Sequence, residues 1–480
     1  MLSMPRFKTV IKHENYNTIL ILIGYVFFAL LFLFSIYFYK ERILFSDSVF
    51  QFFKIINFEK INVEASRYGA IIPEFPVLLG IKLNLNLKLL TILYSVSFIV
   101  LYFLIFTICT YLLKNIKAGF AVILVLTLCI SQSFFHPVTE THQSLVYSVL
   151  LFAILSYENF NSKLLKYGLS VLSIGLAFYS HPVALYSVVF VIGYVAIDRK
   201  QLKSNEPYIL LVLIVGMALT KVIMTSENSY EGKFFAELLN SPTILFDLYK
   251  ASSSKFFISR LNGLYFWLAI LELILLIKLI RNNQLLKLAW HLTITVFFML
   301  ITLITYHKGD ANMLMERAFM PLALFISIPF LNEVATDKKK YLSAKMILLV
   351  IVVGSGLIRI YNQGLEFKTR TEFNQNLLKK TAKFPNRKFI VSKTELDKHV
   401  ITFWSNSFES LILSSIDKNV PTQTVFPSNQ IDALTKYTKN ANSVFLGADF
   451  WLEWEINNLN TKYFRLPDNT TYKVIDLNEL

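Results

Sequence analysis

The sequence carries little charge for its length. Of its 480 residues, 16% are charged and 55% belong to the hydrophobic set, and the mean hydropathy is +0.52. Soluble globular proteins carry about 25% charged residues. The apolar residues form runs of roughly 17–25 residues, which is long enough to cross a bilayer whose hydrocarbon core is about 30 Å thick. These features exclude a soluble enzyme, a nucleic-acid-binding domain and a disordered chain.

Several other features are scarce or missing. The only two cysteines, Cys109 and Cys129, lie inside apolar runs, so we expect no disulfide framework. No small-residue cleavage site follows the first apolar run, which predicts a retained membrane helix rather than a signal peptide. There is no internal repeat or low-complexity tract. The net charge of +15 comes from Lys and Arg between the apolar runs, which indicates membrane topology and contacts with anionic membrane lipids.

The apolar runs predict a polytopic α-helical membrane protein with about eleven transmembrane helices. The fifth and sixth runs meet at Ser180-His181-Pro182, where proline removes a backbone donor and favours a break. The two runs could form one kinked unit, but a hairpin is expected because about 33 residues is too long for a single crossing. The expected spans are residues 18–38, 88–112, 118–134, 144–157, 165–180, 182–197, 208–225, 263–280, 286–306, 317–334 and 345–361.

The positions of Lys and Arg predict the orientation in the membrane. With the N-terminus in the cytoplasm, sixteen basic residues lie in the inner segments or in the first two residues of the spans that follow them. The short outer connections, residues 135–143, 181 and 307–316, then carry only Lys308. Since cytoplasmic loops are enriched in Lys and Arg, the N-terminus is expected inside. An odd number of spans places the C-terminus outside.

Three long segments are expected on the outer side: residues 39–87, 226–262 and 362–480. Residues 49–56 are amphipathic, which predicts a helix in the plane of the interface. Residues 1–361 would form a transmembrane domain, and residues 362–480 a small periplasmic α/β domain with a mainly parallel sheet. Its strand-like runs are residues 388–391, 424–426, 443–446 and 472–475, and its helical stretches are 395–416 and 429–439.

Ionisable side chains recur in the predicted outer loops, where desolvating a charge is expensive. Asp47 lies nine residues past the first span, and Arg67 follows in the same loop. A carboxylate can accept a proton from a hydroxyl, and cations can stabilise a departing phosphate. The other candidates are His136, Glu140, His142, His181, His307, Lys308 and Arg317.

This layout resembles the GT-C superfamily of integral-membrane glycosyltransferases, which includes bacterial lipid A aminoarabinose transferases and protein O-mannosyltransferases. The shared features are the inside N-terminus, the number of spans, the early acid in a long first outer loop and the outer C-terminal domain. The resemblance implies that a sugar moves from a polyprenyl-phosphate carrier to a hydroxyl of a glycan, lipid or protein. The transfer would take place at the periplasmic face of the bacterial inner membrane, with inversion.

The resemblance also assigns roles to residues. It implies that Asp47 is the catalytic base and that Glu140 assists it. Lys308 and Arg317 would hold the carrier phosphate. We further expect substrate contacts from the side chains of Arg67, His136, His181 and His307.

Structural roles are also compatible with these residues. Arg67 could fix its own loop by pairing with nearby glutamates, and Arg317 could anchor a helix at the interface. His136, Glu140 and His142 carry donors suited to a divalent metal, but such residues more often cap short helices or form hydrogen bonds within a polar loop. The sequence therefore leaves the metal requirement open.

Three other functions fit parts of the pattern. A polymerase or ligase of undecaprenyl-linked polysaccharides would depend on outer-loop arginines, for which Arg67, Arg260 and Arg317 are placed. A transporter or lipid flippase would show two related halves with interrupted helices, and such halves are not evident in the sequence. A membrane scaffold whose outer domain binds a partner is the third.

Overall fold

The computed structural model describes residues 13–64, 67–224, 247–334, 342–401, 404–417, 421–448 and 451–477. Three features used in the sequence analysis lie outside these ranges. They are the basic residues of the first twelve positions, most of the predicted outer segment 226–262 and the lysines at positions 338–340.

Helices dominate the described chain, as its long apolar runs predict. They are α1 (His13–Tyr37), α2 (Tyr39–Ile43), α3 (Ser46–Phe58), α4 (Ile71–Lys82), α5 (Leu87–Thr107), α6 (Ile116–Val125), α7 (Thr141–Ser156), α8 (Lys163–Ser180), α9 (Ala184–Asp198), α10 (Glu206–Met224), α11 (Ser252–Ser259), α12 (Phe266–Arg281), α13 (Leu285–Thr305), α14 (Asn312–Phe319), α15 (Pro321–Pro329), α16 (Leu342–Thr381), α17 (Lys393–Leu396), α18 (Asn406–Ile416) and α19 (Thr435–Lys439).

Five helical segments in the described ranges are long and apolar enough to cross a membrane. They are Asn17–Tyr37, Leu87–Leu112, Leu285–Thr305, Asn312–Val334 and Ala344–Thr381. Each of the eleven expected spans contains a helix, but Ile116–Val125, Thr141–Ser156 and Ala184–Asp198 are shorter apolar helices. The structure therefore agrees with a multi-pass helical membrane protein, and the count of eleven spans stays a prediction.

The chain divides into two compact units. Unit 1 comprises Met1–Leu30, Tyr102–Ser131 and Glu140–Arg359, and unit 2 comprises Leu31–Leu101, Gln132–Thr139 and Ile360–Leu480. The C-terminal residues thus belong to the same unit as the first predicted outer segment. The functional division into residues 1–361 and 362–480 stays a prediction.

Within unit 1, the third expected span is interrupted. A helix was expected over residues 118–134, but α6 ends at Val125, and Cys129 adopts a left-handed φ of 61°. The Arg359 guanidinium donates to the carbonyls of Thr127 at 2.6 Å and Ile130 at 2.9 Å. The Glu316 carboxylate accepts from the Ser131 amide at 2.6 Å. Irregular backbone at membrane depth needs such partners, which explains why the helix can end here.

The hairpin predicted around His181 is confirmed. Helix α8 ends at Ser180, and α9 begins at Ala184 after a short turn. The two helices pack against each other within unit 1. Pro182 lies in the turn, where its missing backbone donor disturbs no helical hydrogen bond.

Within unit 2, helix α3 is enclosed by protein. The amphipathic run predicted to be helical is indeed helical, but Phe50, Phe53 and their apolar neighbours are buried. Phe53 contacts Phe408 with ring centroids 4.9 Å apart, and it lies edge-on to Trp454 at 5.2 Å. The expectation that the apolar face of this helix lies in the interface plane is therefore corrected: it packs on aromatic residues of the C-terminal segment.

The strands of unit 2 form two sheets. They are β1 (Lys388–Ser392), β2 (Thr424–Ser428), β3 (Val444–Ala448), β4 (Trp451–Glu455) and β5 (Lys473–Ile475). The order β2-β1-β5 makes a parallel sheet, in which Ile390 pairs with Phe426 and Val474. Strand β3 instead forms an antiparallel pair with β4, a strand that the sequence analysis did not anticipate.

Lys388 begins the central strand with a fully buried side chain. Its ammonium group donates to the backbone and side-chain oxygens of Asn442, both at 2.8 Å, and to the Val444 carbonyl at 3.1 Å. Burial lowers the pKa of Lys388 to about 8, and the charge of Asp468 opposes this lowering only in part. The ammonium group therefore links the two sheets of unit 2 by hydrogen bonds. Burying its charge away from water costs free energy.

Replacing Lys388 should change how stability depends on pH. The folded chain loses this proton near pH 8, whereas the unfolded chain keeps it to about pH 10.5. The desolvation cost is thus complete below pH 8 and is lifted between pH 8 and 10.5, so stability rises in this window. We expect that rise to be absent in Lys388→Met, measured by thermal unfolding in detergent. Lys439→Met, at an exposed position, should keep the wild-type dependence, and a rise retained in Lys388→Met would contradict the assignment.

Candidate functional site

Asp47 and His136 form the best-defined pair among the candidate residues. His136 Nε2 lies 3.5 Å from Asp47 Oδ2, and both residues belong to unit 2. The imidazole is fully buried, whereas 46% of the Asp47 side chain is exposed. Asp47 occupies the first turn of α3, where the helix dipole favours an ionised carboxylate. A substrate can therefore reach the carboxylate while the protein holds the imidazole behind it.

Phe45 connects this pair to the interior of unit 2. Its ring lies edge-on to the His136 ring, with centroids 6.4 Å apart, and against Phe367 at 5.1 Å. Ser46 follows with a left-handed φ of 50°, which is uncommon for a residue with a side chain. The turn between Phe45 and Asp47 is thus fixed by packing on one side and by an unusual backbone conformation on the other.

A buried ion pair lies against the ring of Phe45. The Arg370 guanidinium carbon is 4.8 Å from the centre of the Phe45 ring. Arg370 donates to both carboxylate oxygens of Glu409, at 2.6 and 2.5 Å, and Asn374 donates to one of them at 2.8 Å. The Ile401 carbonyl accepts from Arg370 Nε at 3.0 Å. This bidentate pair holds α16 and α18 together beneath the Asp47 turn.

Arg42 fixes the chain next to His136. Its guanidinium is buried and donates to the Phe134 carbonyl and to the side chain and carbonyl of Ser95. The guanidinium carbon also lies 3.9 Å from the centre of the Phe134 ring. Because Phe134 precedes His136 by two residues, Arg42 helps to set the position of the imidazole.

The loop after α3 carries charged groups whose fields reach Asp47. Lys54 pairs with Glu64, and Asn62 donates to the same carboxylate at 3.0 Å. Burial acts to raise the pKa of Glu64, but these two hydrogen bonds outweigh it and the pKa lies below its usual value. The charge of Asp47 acts in the opposite direction, so the two carboxylates interact. Arg67 joins this loop through its amide, which donates to the Glu64 carbonyl at 2.9 Å.

Glu140 and His181 lie in unit 1. Glu140 is buried, adopts a left-handed φ of 50° and immediately precedes α7. His181 follows α8, and its Nδ1 accepts from the Val183 amide at 3.2 Å, which closes the turn into α9. His181 therefore has a structural role in this turn, and its contact with substrate stays a prediction. The assisting role of Glu140 stays a prediction.

His307, Lys308 and Arg317 also lie in unit 1. His307 Nδ1 is 2.9 Å from the Ile304 carbonyl, and the His307 carbonyl accepts from the Ser252 amide at 2.9 Å. Lys308 occupies the turn after α13, and Arg317 lies in the last turn of α14. The three residues thus lie in or near one turn, as the sequence predicts. Their contacts with the substrate stay a prediction.

No group of three His, Cys, Asp or Glu side chains suited to hold a metal ion occurs in the described ranges. His136 belongs to unit 2, whereas Glu140 and His142 belong to unit 1. The metal requirement therefore stays open, as it did from the sequence.

Sequence reasoning did not select Phe45, Arg42 or the Arg370–Glu409 pair. A charged residue at each end of an apolar run is a weak signal, because such residues usually contact headgroups. The carbonyls and carboxylate that Arg42 and Arg370 bind are distant in sequence: Phe134 lies 92 positions from Arg42, and Glu409 lies 39 from Arg370. Only the folded chain brings these partners together.

Comparison with known proteins gives no relative. No protein-family model matches the sequence. Searches with the chain among curated proteins and among solved structures likewise give no match. Any assignment of function therefore depends on the residues described above.

Proposed function

We propose that this protein is a glycosyltransferase of the bacterial inner membrane that moves a sugar from a polyprenyl-phosphate carrier to an acceptor hydroxyl at the periplasmic face. The observation that supports it is the Asp47–His136 pair: a half-exposed carboxylate 3.5 Å from a buried imidazole. Such a carboxylate can accept a proton from a hydroxyl group. The proposal includes eleven spans, a cytoplasmic N-terminus and a periplasmic C-terminal α/β domain.

The proposed step is a single displacement. The acceptor oxygen attacks the anomeric carbon while Asp47 takes the hydroxyl proton. The bond between the anomeric carbon and the carrier phosphate breaks, and its electron pair leaves with the phosphate. His136, whose Nε2 lies 3.5 Å from Asp47 Oδ2, would orient the carboxylate. One displacement inverts the anomeric centre, and the contacts predicted for Lys308 and Arg317 would favour departure of the phosphate.

Lipid analysis and a transfer assay test this function. Lipids that co-purify with the protein would be identified by mass spectrometry. The protein in vesicles would then receive polyprenyl phosphates that carry different sugars, and release of polyprenyl monophosphate would be measured. We expect a co-purified monophosphate sugar and acceptor-dependent release. A diphosphate-linked oligosaccharide would favour a polymerase or ligase instead, and no release with any sugar would overturn the proposal.

Removing the imidazole should slow transfer without unfolding the protein. In His136→Gln the carboxylate loses a buried partner that orients it, and a shift of about 1 Å in a catalytic group can cost about 10²-fold. We therefore expect transfer to fall roughly 10–100-fold. The matched control is His399→Gln, because His399 is exposed and its ring stacks on Phe373 with centroids 5.2 Å apart. Equal rates in the two variants would remove His136 from the mechanism.

One observation favours a transporter as the second candidate. Helix α6 ends early, and Arg359 and Glu316 bind the backbone around the break. Interrupted helices lined by polar groups are common at transporter binding sites. Uptake of a solute or flipping of a lipid by vesicles without any transfer would favour this function over the first.

A further inference from the structure

The N-terminal half of α7 is polar although it is buried. Every residue from Thr141 to Leu155 is buried within the protein. Its neutral polar side chains include Gln143, Ser144 and Tyr147, whose exposed fractions are 0%, 0% and 1%. Polar groups inside a membrane protein are costly and mark functional positions.

These polar atoms have no hydrogen-bond partner in the part of the chain that the structure describes. They are both amide atoms of Gln143, the Ser144 hydroxyl and the Tyr147 hydroxyl. Ser148, one turn further along, behaves differently, because its hydroxyl donates to the Ser144 carbonyl at 2.8 Å. Buried polar groups are nearly always bonded, so three adjacent exceptions require another partner.

Helical spacing places the three side chains on one face. Gln143 and Tyr147 are four residues apart and Ser144 and Tyr147 three apart, which brings their Cβ atoms to about 5–6 Å. Helix α7 packs against α6, α8 and α9 within unit 1. The three side chains therefore lie on one face of a helix that neighbouring helices enclose.

We propose that Gln143, Ser144 and Tyr147 form a binding site for a neutral polyhydroxyl group, such as a sugar ring. The amide offers two donors and an acceptor, and each hydroxyl can donate and accept, which matches the hydroxyl groups of a sugar. None of the three carries a charge, so a buried ion would lack a counter-charge here. Glu140, buried immediately before the helix, further disfavours an anion at this end.

The inference deepens the proposed function, on which it rests, by naming the part of the donor or acceptor that unit 1 recognises. A sugar on the carrier lipid and a free sugar present the same hydroxyl chemistry. The test must therefore separate these two sources from each other and from water.

The experiment measures binding to purified protein of three probes. They are polyprenyl phosphates that carry glucose, mannose, galactose or N-acetylglucosamine, the same carrier without a sugar, and the free sugars. Tyr147→Phe removes one hydroxyl, and Gln143→Leu removes the amide. We expect each to weaken binding of the preferred sugar-bearing carrier about tenfold and to leave binding of the bare carrier unchanged. If free sugar competes with the sugar-bearing carrier for binding, the ligand is the sugar alone. If free sugar does not compete, the ligand is the lipid-linked sugar.

A stability measurement guards against misfolding. Removing an unpartnered buried hydroxyl relieves a desolvation cost, so Tyr147→Phe should melt at the wild-type temperature or above it when no sugar is present. Tyr167→Phe, at a half-buried position on α8, is the matched control and should bind every probe normally. Unchanged discrimination between sugar-bearing and bare carrier in both variants would mean that the site holds water only and would overturn the inference. The wild-type protein could instead distinguish the sugar-bearing carrier from the bare carrier through these residues and yet transfer no sugar. That result would overturn the proposed function but not the inferred binding site.

Discussion

Asp47→Asn should lower sugar transfer by about 10²–10⁴-fold, the range that a general base contributes. Asparagine keeps the size of the side chain and can still stabilise the first turn of α3, but it cannot accept the hydroxyl proton. Because 46% of the Asp47 side chain is exposed, the exchange should disturb packing little. Release of polyprenyl monophosphate from vesicles would give the rate, and lipid binding would be measured beside it.

The matched control for this variant is Asp432→Asn. Asp432 is an exposed residue of the same unit and also begins a short helical segment. We expect Asp432→Asn to transfer sugar at the wild-type rate. If Asp47→Asn did so too, with normal membrane insertion, Asp47 would not be the base and the proposed mechanism would fail.

Arg370→Met should cause the largest loss of stability. It leaves the Glu409 carboxylate buried without its bidentate partner, and breaking such a pair costs about 3–5 kcal/mol. For a unit of this size, that corresponds to a fall of roughly 10 °C in the melting temperature. Thermal unfolding in detergent, followed by tryptophan fluorescence, would report on Trp404 and Trp454 of the same unit.

Two controls separate loss of the pair from loss of charge. Adding Glu409→Leu to Arg370→Met should restore part of the stability, because no carboxylate is then left buried. Lys398→Met removes the cation of the exposed pair with Glu395 and should cost less than about 1 kcal/mol. Equal melting temperatures for Arg370→Met and Lys398→Met would mean that the buried pair contributes no more than a surface pair.

The apolar runs predicted most helices because long hydrophobic segments leave few alternatives at membrane depth. They failed where contacts with distant parts of the chain change the outcome. The end of α6 at Val125 depends on Arg359, which lies 232 positions from Thr127. Helix α16 was expected to stop at residue 361 but continues to Thr381, because Leu377 and Leu378 are buried in unit 2. The local pattern of apolar residues cannot predict contacts between residues that lie so far apart in the sequence.

The candidate site was predictable as a set of residues but not as an arrangement. Asp47 and His136 were each selected because ionisable side chains at the outer membrane face are costly to desolvate, yet nothing in the sequence paired them. Strand β4 was missed for a different reason: Glu453 and Glu455 alternate with its apolar residues, and acidic residues are depleted in strands. The parallel strands were found because β-branched and aromatic residues dominate them.

The interruption after α6 has a consequence for biogenesis. During synthesis, residues 126–131 enter the bilayer well before Arg359 has emerged from the ribosome, so the carbonyls of Thr127 and Ile130 must first be solvated by water, headgroups or the insertion machinery. A chain truncated before α16 would leave these two carbonyls permanently without that partner in lipid. Final assembly of unit 1 is therefore expected to be post-insertional, and quality-control proteases should degrade nascent fragments that end between α6 and α16.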